Sequence, residues 1–495
     1  MPQSFDLRAA AHKAMLDNGF IADVPAAVLA EVAAAKPATT TAVASRDMRQ
    51  LPWSSIDNDS SRDLDQLEVA EQLPDGDVRV MVAIADVDGT VSRGSQTDQF
   101  AAKNATSVYT GVVTYPMLPE RLSTDLTSLG QDDDRSSVVI EFVVAKDGTI
   151  RSHSVYLARV HNYSKLAYGN VGAWLDGHGN LPPEASATIQ DQLRLQDAAA
   201  QSLRAQRARA GALDLETIEA QSVVHADDSV SVELVAKTRA SNLIEDFMIA
   251  ANVAMAQFLD EHGSPTIRRV VRTPERWDRI VALAAKTGDP LPSEPDSAAL
   301  EAFLSKRHTA DPDHFPDLSL AIVKLLGPGE YAMHMPGSAD AGHFGLATHD
   351  YTHSTAPNRR FADLVTQRLL KAVLAGSQPP YSGDELTQIA RHCTEREDAA
   401  RKVEREVRKV AAAVSMTSRI GESFDAIVTG VNPRGTFVRV LSPPVEGRVM
   451  RGEQGLDVGD KVRVELISTD PVRGFVDFKA SGTRNSHSTP VATKP

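Results

Sequence analysis

Cysteine is nearly missing: Cys393 is the only one in 495 residues. That excludes an intrachain disulfide and any thiolate metal cluster. Long apolar runs are missing too, none approaching the roughly 20 residues that span a bilayer. The opening stretch, MPQSFDLRAAAHKAML, lacks the basic-then-apolar order of a secretion signal. The expected compartment is the cytoplasm. Positive charge is also short, with 52 Lys and Arg against 66 Asp and Glu and a net charge of −14. Such a chain repels a polyanion at long range, so any contact with nucleic acid must come from local clusters of arginine.

What is present describes an ordinary globular chain, 42% hydrophobic and 24% charged. Its length exceeds what one core organises, so two or three domains are expected. Two short Ala-rich periodic stretches, roughly Asp6–Asn18 and Val24–Ala35, precede a Thr/Ala/Pro linker at Lys36–Ser45. Residues 1–45 therefore read as a small helical module, with a helix-turn-helix-like arrangement as one form. Alternating strands and helices follow. Leu64–Leu73 and Val78–Val87 form a hairpin around Pro74-Asp75-Gly76-Asp77, and Ser137–Val144 and Ile150–Val160 repeat the theme around Lys146-Asp147-Gly148. The clearest helix is Asn242–His262, and a longer one covers Gly383–Thr417. Short strands with Gly-rich turns return over Glu422–Lys479, and the Ser/Thr/Pro-rich end, 481–495, reads as a disordered tail.

The densest chemistry lies in Ser55–Gln66, where Asp57, Asp59, Asp63 and Asp65 crowd within nine positions. If a strand begins at Asp63 and runs to Val69, Asp63 and Asp65 share a face, and the preceding loop brings Asp57 over it. Converging carboxylates repel one another unless a cation sits between them. Hard oxygen ligands with open positions suit Mg²⁺ or Mn²⁺, which can activate water and stabilise a leaving phosphodiester oxygen. A solvated loop or a Ca²⁺ site is the alternative. The EF-hand form of the latter is excluded, because no Gly stands sixth from any of these aspartates.

Three further segments follow in order: Thr106–Ser123 around Tyr109, Asn242–Asn252 at the clear helix, and His343–Ala347 leading to Ala356–Leu364. With the Asp cluster this ordered set resembles the catalytic RNB domain of the ribonuclease II / ribonuclease R family, from about Leu51 to Met416. The resemblance implies a processive 3′→5′ hydrolytic exonuclease that uses Mg²⁺ and releases nucleoside 5′-monophosphates from single-stranded RNA. It assigns Asp57, Asp63 and Asp65 to three of four acidic site positions and Tyr109 to stacking on the terminal nucleotide. Arg359 matches the scissile phosphate contact and Glu245 a helix-borne acid near the RNA end; Arg360 can share the arginine's duty. The residue types suit these roles: an aromatic face holds an unpaired base, and a guanidinium presents a charged planar fork to phosphate. Each has a structural alternative. Tyr109 can be core, Glu245 can close a capping box with Asn242, and both arginines can pair with Asp363.

Two departures stand out. Gln66 occupies the fourth acidic position, so its amide can ligate a metal but cancels no charge; either one metal is held more weakly, or Asp59 or a substrate phosphate supplies the missing oxygen. The leading 45 residues are also too few for the two cold-shock barrels that better-known members carry. Deleting them is expected to alter RNA affinity or substrate preference.

At the other end, Phe424–Val440, Val445–Arg448 and Val458–Val464 resemble the OB-fold barrel that follows the catalytic domain in this family. Arg434, Phe437, Arg439 and Arg448 would line its RNA face, with Phe424 or Phe437 in the core. The expected architecture is α+β: a helical module at 1–45, an RNB-like catalytic domain at 46–420, an OB barrel at 421–480, and the tail. The expected function is a metal-dependent exoribonuclease. A catalytically silent RNA-binding protein and a metal phosphodiesterase acting on DNA or small nucleotides are the alternatives. No membrane partner is expected, and nothing in the sequence specifies an obligate protein partner or an oligomeric state.

Overall fold

The structure, a computed structural model, describes residues 5–38, 44–216, 219–224, 230–235, 237–312, 314–338 and 342–483. Part of the expected linker and nearly all of the expected tail lie outside the described residues.

The chain opens with α1 (Leu7–Asp17) and α2 (Ala26–Ala34), then β1 (Ser45–Asp47), β2 (Ser54–Asp57), β3 (Gln66–Gln72) and β4 (Val78–Ala85). Next come α3 (Gln96–Asn104), a two-residue hairpin of β5 (Val108–Tyr109) and β6 (Thr114–Tyr115), then β7 (Asp134–Val144), β8 (Ile150–His161) and β9 (Ser164–Ala167). A mixed seven-stranded sheet results, in the order β1-β8-β7-β4-β3-β2-β9. β4 lies at its centre and is apolar on both sides, as a strand covered on two faces must be. Val80, Val82 and Ile84 join one core, while Met81, Ala83 and Ala85 join the other.

Helices cover both faces. α4 (Tyr168–Leu175), α5 (Ala187–Arg209) and α6 (Arg239–Glu261) pack on the first core, with β10 (Glu219–Val224) and β11 (Val230–Val235) forming a hairpin between α5 and α6. In that core Phe247 of α6 meets Phe142 of β7 edge-on, with centroids 6.2 Å apart. α6 starts at Arg239, three residues before the expected Asn242. Thr238 and Ser241 form the capping box there, so Glu245 does not serve the helix start.

The β12 (Thr266–Val270) and β13 (Glu330–His334) pair flanks a small subdomain of α7 (Trp277–Ala285), α8 (Ser297–Ala310) and α9 (Phe315–Leu326). α10 (Phe361–Leu374) and α11 (Gly383–Met416) then cover the second core. Ser382 and Glu385 close a capping box at the start of α11, which accounts for its sharp beginning. A closed five-stranded barrel of β14 (Ser423–Asn432), β15 (Gly435–Val440), β16 (Glu446–Arg451), β17 (Lys461–Asp470) and β18 (Phe475–Thr483) sits at the far end of α11, its core continuous with Ala412, Ala413 and Met416.

The two leading helices do not form a separate bundle. α1 buries Ala11 and Met15 with Val403 and Val407 of α11, whereas α2 buries Val28 and Val32 in the core that contains Phe100 of α3. Each apolar face is satisfied by the large body rather than by its neighbour. Among the described residues, no helix is long and apolar enough to cross a membrane.

Candidate active site

The strand expected to start at Asp63 begins at Gln66 instead. β2 and β3 run antiparallel but keep only the Ser54–Glu68 pair in register, so they separate at the end where β2 finishes and β3 begins. Residues 58–65 leave as a loop. Ser128 Oγ accepts the Leu64 N–H at 3.1 Å and the Asp65 carbonyl accepts from Ala85 N at 2.9 Å. At the other end Asp57 Oδ1 accepts from Asn58 N at 2.7 Å and Ser61 Oγ at 3.1 Å. These bonds, not a ladder, aim the carboxylates.

Arg359 reaches the cluster through a backbone pairing between distant segments. Ser107 N donates to Arg359 O at 3.0 Å, Phe361 N donates to Ala105 O at 2.9 Å, and Thr106 bridges Arg360. The loop before α10 is fixed on its other side by Asn252, whose Oδ1 accepts from Ser354 N and Oγ, both at 2.9 Å. Asp363 adds a bond from Ala356 N at 2.8 Å. Tyr109 and Arg359 are thus carried by paired pieces of chain.

The result is a cavity of about 310 Å³ lined by Asp57, Asp63, Asp65, Gln66, Tyr109 and Arg359, together with Ser61, Tyr168, Ile244, Met248 and Thr355. Asn358 N donates to Asp65 Oδ1 at 3.1 Å, and Arg359 Nε stands 3.6 Å from Asp65 Oδ2. Burial pushes the Asp65 carboxyl up to about 7, with Arg359 pulling it down and Asp63 pushing it further up. Asp63 is raised by burial and by the charge of Asp57. Tyr109, 43% exposed, lines the cavity, where desolvation by the surrounding protein pushes its phenol up to about 12. It is neutral at physiological pH and suited to stacking.

Several expected residues lie elsewhere. Asp59 is exposed and lies outside the cavity lining. Glu245 is also outside the lining and pairs with Lys237 at 3.0 Å, while its neighbours Ile244 and Met248 form the wall. Arg360 gives Nε and Nη2 to Asp363 at 2.9 and 2.8 Å and acts as a tie within the fold. His343 and His353 are half-buried and held uncharged, the first lowered to about 4, because desolvation and nearby arginines disfavour the cation. Tyr168 and Thr355 were not singled out in the sequence. Neither belongs to a distinctive local pattern, and only the fold brings them to the carboxylates.

In the barrel, Arg434, Phe437 and Arg448 line a second cavity of about 510 Å³ with Lys409 of α11 and Phe475. Phe424 belongs to the barrel core. Arg439 points to the same side of β15 as Phe437 but is buried, its Nη2 donating to Asp317 of α9 at 2.7 Å. It fastens the barrel to the helical subdomain and is withdrawn from the proposed RNA face.

Among the described residues no three His, Cys, Asp or Glu side chains form a ready-made metal cage. The oxygen set nevertheless suits a hard divalent cation that keeps waters and takes substrate oxygens, as Mg²⁺ does. Asp63 and Asp65 are both driven towards protonation here, a tension that a cation between the carboxylates removes. Ligation by Asp65 requires loss of its proton, so affinity falls as pH drops below about 7. Calorimetric titration with Mn²⁺ is expected to show about a tenfold rise in affinity per pH unit from 5.5 to 7, then a plateau. A flat profile contradicts direct ligation by a buried, proton-holding carboxylate.

Residues 45–376 match the RNB domain family, and residues 422–481 match the RNase II-type exonuclease C-terminal S1 domain. Ribonuclease R 1 of Lactococcus lactis is 29% identical over 465 residues, covering 88% of this chain and 56% of that protein. Ribonuclease R of Thermotoga maritima is 30% identical over 475 residues, covering 88% and 65%. The chain therefore spans between half and two thirds of these relatives. Mycoplasma genitalium RNase R, solved with ribose-methylated single-stranded RNA, superimposes with a TM-score of 0.87 at 22% identity, over 96% of this chain and 78% of that one.

Proposed function

The chain belongs to the RNB-domain family, and from that premise we propose that it is a metal-dependent 3′→5′ exoribonuclease acting on single-stranded RNA in the cytoplasm. The observation that carries the proposal is one cavity holding Asp57, Asp63, Asp65, Arg359 and Tyr109, drawn from segments up to about 300 residues apart. Its carboxylates suit metal-assisted attack of water, and its arginine and aromatic ring suit the end of a nucleic-acid strand.

Tyr109 stacks on the terminal base, a contact worth about 1–3 kcal/mol and indifferent to base identity. Arg359 holds the phosphate by charge and by its planar donors. Water adds to phosphorus and the bond to the 3′-oxygen of the preceding nucleotide breaks. This releases a nucleoside 5′-monophosphate and leaves a 3′-hydroxyl on the shortened strand. Asp57, Asp63 and Asp65, with the Gln66 amide oxygen, would hold Mg²⁺ or Mn²⁺, which supplies Lewis acidity and charge neutralisation when bound. Arg434, Arg448 and Phe437 guide the strand inward, and the RNA needs no base-specific contact along that path.

The test is incubation of 5′-labelled single-stranded RNA, and DNA of matched sequence, with Mg²⁺, Mn²⁺ or EDTA. A metal-dependent shrinking ladder on RNA supports the proposal. RNA binding without cleavage under every metal condition sinks it in favour of a silent binder, and equal cleavage of DNA moves it to a general phosphodiesterase. Gln66 is the residue that keeps the silent reading in play, because it lines the cavity as an amide. Gln66→Asp is expected to tighten Mn²⁺ binding on the order of tenfold by adding ligand charge. Unchanged calorimetric affinity shows that position 66 does not reach the metal.

A further inference from the structure

We propose that residues 5–38 are a brace that sets the position of Tyr109, so that the leading helices tune the grip on the RNA end without touching RNA. This rests on the assignment of Tyr109 as the stacking residue. The β5–β6 hairpin has two residues in each strand, too little to hold a shape by itself. The position of its aromatic ring is therefore dictated by whatever packs behind it. What packs there is the leading segment together with α11, while the Ser107–Arg359 backbone pair holds the entry to the hairpin.

Three attachments make the case. Met15 and Phe20 are buried in one cluster with Val108, the residue preceding Tyr109, and with Val403 of α11. Asn104, buried at the end of α3, bonds both ways with the Ile21 backbone: Ile21 N donates to Oδ1 and Nδ2 donates to Ile21 O, each at 3.0 Å. Arg396 of α11 donates to the Asn18 and Gly19 carbonyls at 3.1 and 3.2 Å and lies over the Phe20 ring at 4.8 Å.

The second helix holds the flanks. The Glu31 carboxylate accepts from Gln96 N and Thr97 N at 2.9 and 3.0 Å and so caps α3. Arg121, beyond the hairpin, donates to Val32 O at 2.9 Å. The stretch from 96 to 121 is thereby gripped before, behind and after Tyr109. Tyr109 N also donates to Glu404 of α11 at 3.0 Å. The backbone that carries the ring is held by α11 and the leading segment through Val108 and the Tyr109 amide.

The experiment measures binding of a 5′-fluorescein single-stranded RNA pentanucleotide to the full chain in EDTA, where no turnover is needed. Phe20→Ala and Tyr109→Ala are each expected to weaken binding about tenfold, a good part of one stacking contact. The double variant is expected to bind no more weakly than Tyr109→Ala alone, and Phe20→Leu to restore most of the affinity. If Phe20→Ala does not fold, Arg396→Met removes the same attachment from the α11 side and carries the same expectation. Amide exchange over residues 106–117 is expected to quicken in either brace variant. Affinity equal to the starting protein's, or losses that multiply in the double variant, overturns the brace. A protein that binds and shows this coupling but cleaves nothing with Mg²⁺ or Mn²⁺ loses the exonuclease assignment and keeps the brace.

Discussion

Asp65→Asn is expected to abolish RNA hydrolysis, slowing it on the order of a thousandfold or more while leaving RNA binding intact. Asparagine keeps the side-chain oxygen that accepts from Asn358 N at 3.1 Å, so the loop before α10 retains its anchor. What disappears is the buried negative charge facing Arg359 at 3.6 Å. Loss of an outer partner of a metal ligand typically costs ten- to a hundredfold, and loss of a ligand's own charge should exceed that. Binding has a reason to survive, since one fewer carboxylate faces the phosphates. Single-turnover cleavage and filter binding on the same preparation separate the two effects. Hydrolysis within tenfold of the starting protein shows that Asp65 is not part of the reacting site.

Arg359→Lys is expected to reduce turnover on the order of a hundredfold, comparable with removal of one donor aimed at developing charge. Lysine preserves the positive charge but not the planar fork, so charge alone should not rescue activity. The substitution sits on exposed side-chain atoms, 45% accessible, and its backbone pairing with Ser107 is independent of side-chain identity. Stability should therefore hold within about 0.5 kcal/mol. If Arg359→Lys matches the starting protein while Arg359→Ala is inactive, the fork is dispensable and a point charge is sufficient.

Legibility of the fold followed locality. The two hairpins around Pro74–Asp77 and Lys146–Gly148, the long helix after Ser382 and the closing barrel are written in period, cap and turn residues that act within a few positions. The errors also have local causes. The apolar pattern beginning at Leu64 favours a strand from Asp63, yet the Leu64 amide is satisfied by Ser128 and the ladder starts at Gln66. For α6 the spacing of Asn242 and Glu245 fits a capping box, whereas Thr238 and Ser241 form it.

The site was legible in its charged members and hidden in its walls. Asp57, Asp63, Asp65, Tyr109 and Arg359 carry conspicuous chemistry in ordered segments. Tyr168 and Thr355 are ordinary residues that matter only because of where the sheet end and the crossing loop meet. Arg439 shows the limit from the other side. Alternation along β15 does place it beside Phe437, but no one-dimensional pattern shows that Asp317, 122 residues earlier, covers that face.

The pairing that joins the Asp65 loop to the segment before α10 spans 293 residues of sequence. At a synthesis rate of roughly 5–20 residues per second, the carboxylates leave the ribosome on the order of 15–60 seconds before the arginine that faces them. During that interval the acidic loop has neither its Asn358 anchor nor its countercharge, and Tyr109 lacks the backbone partner that places it. A chain stopped anywhere short of residue 358 therefore carries the most recognisable sequence in the protein without a site. Competence is acquired late and all at once, as a property of the finished chain rather than of its first half.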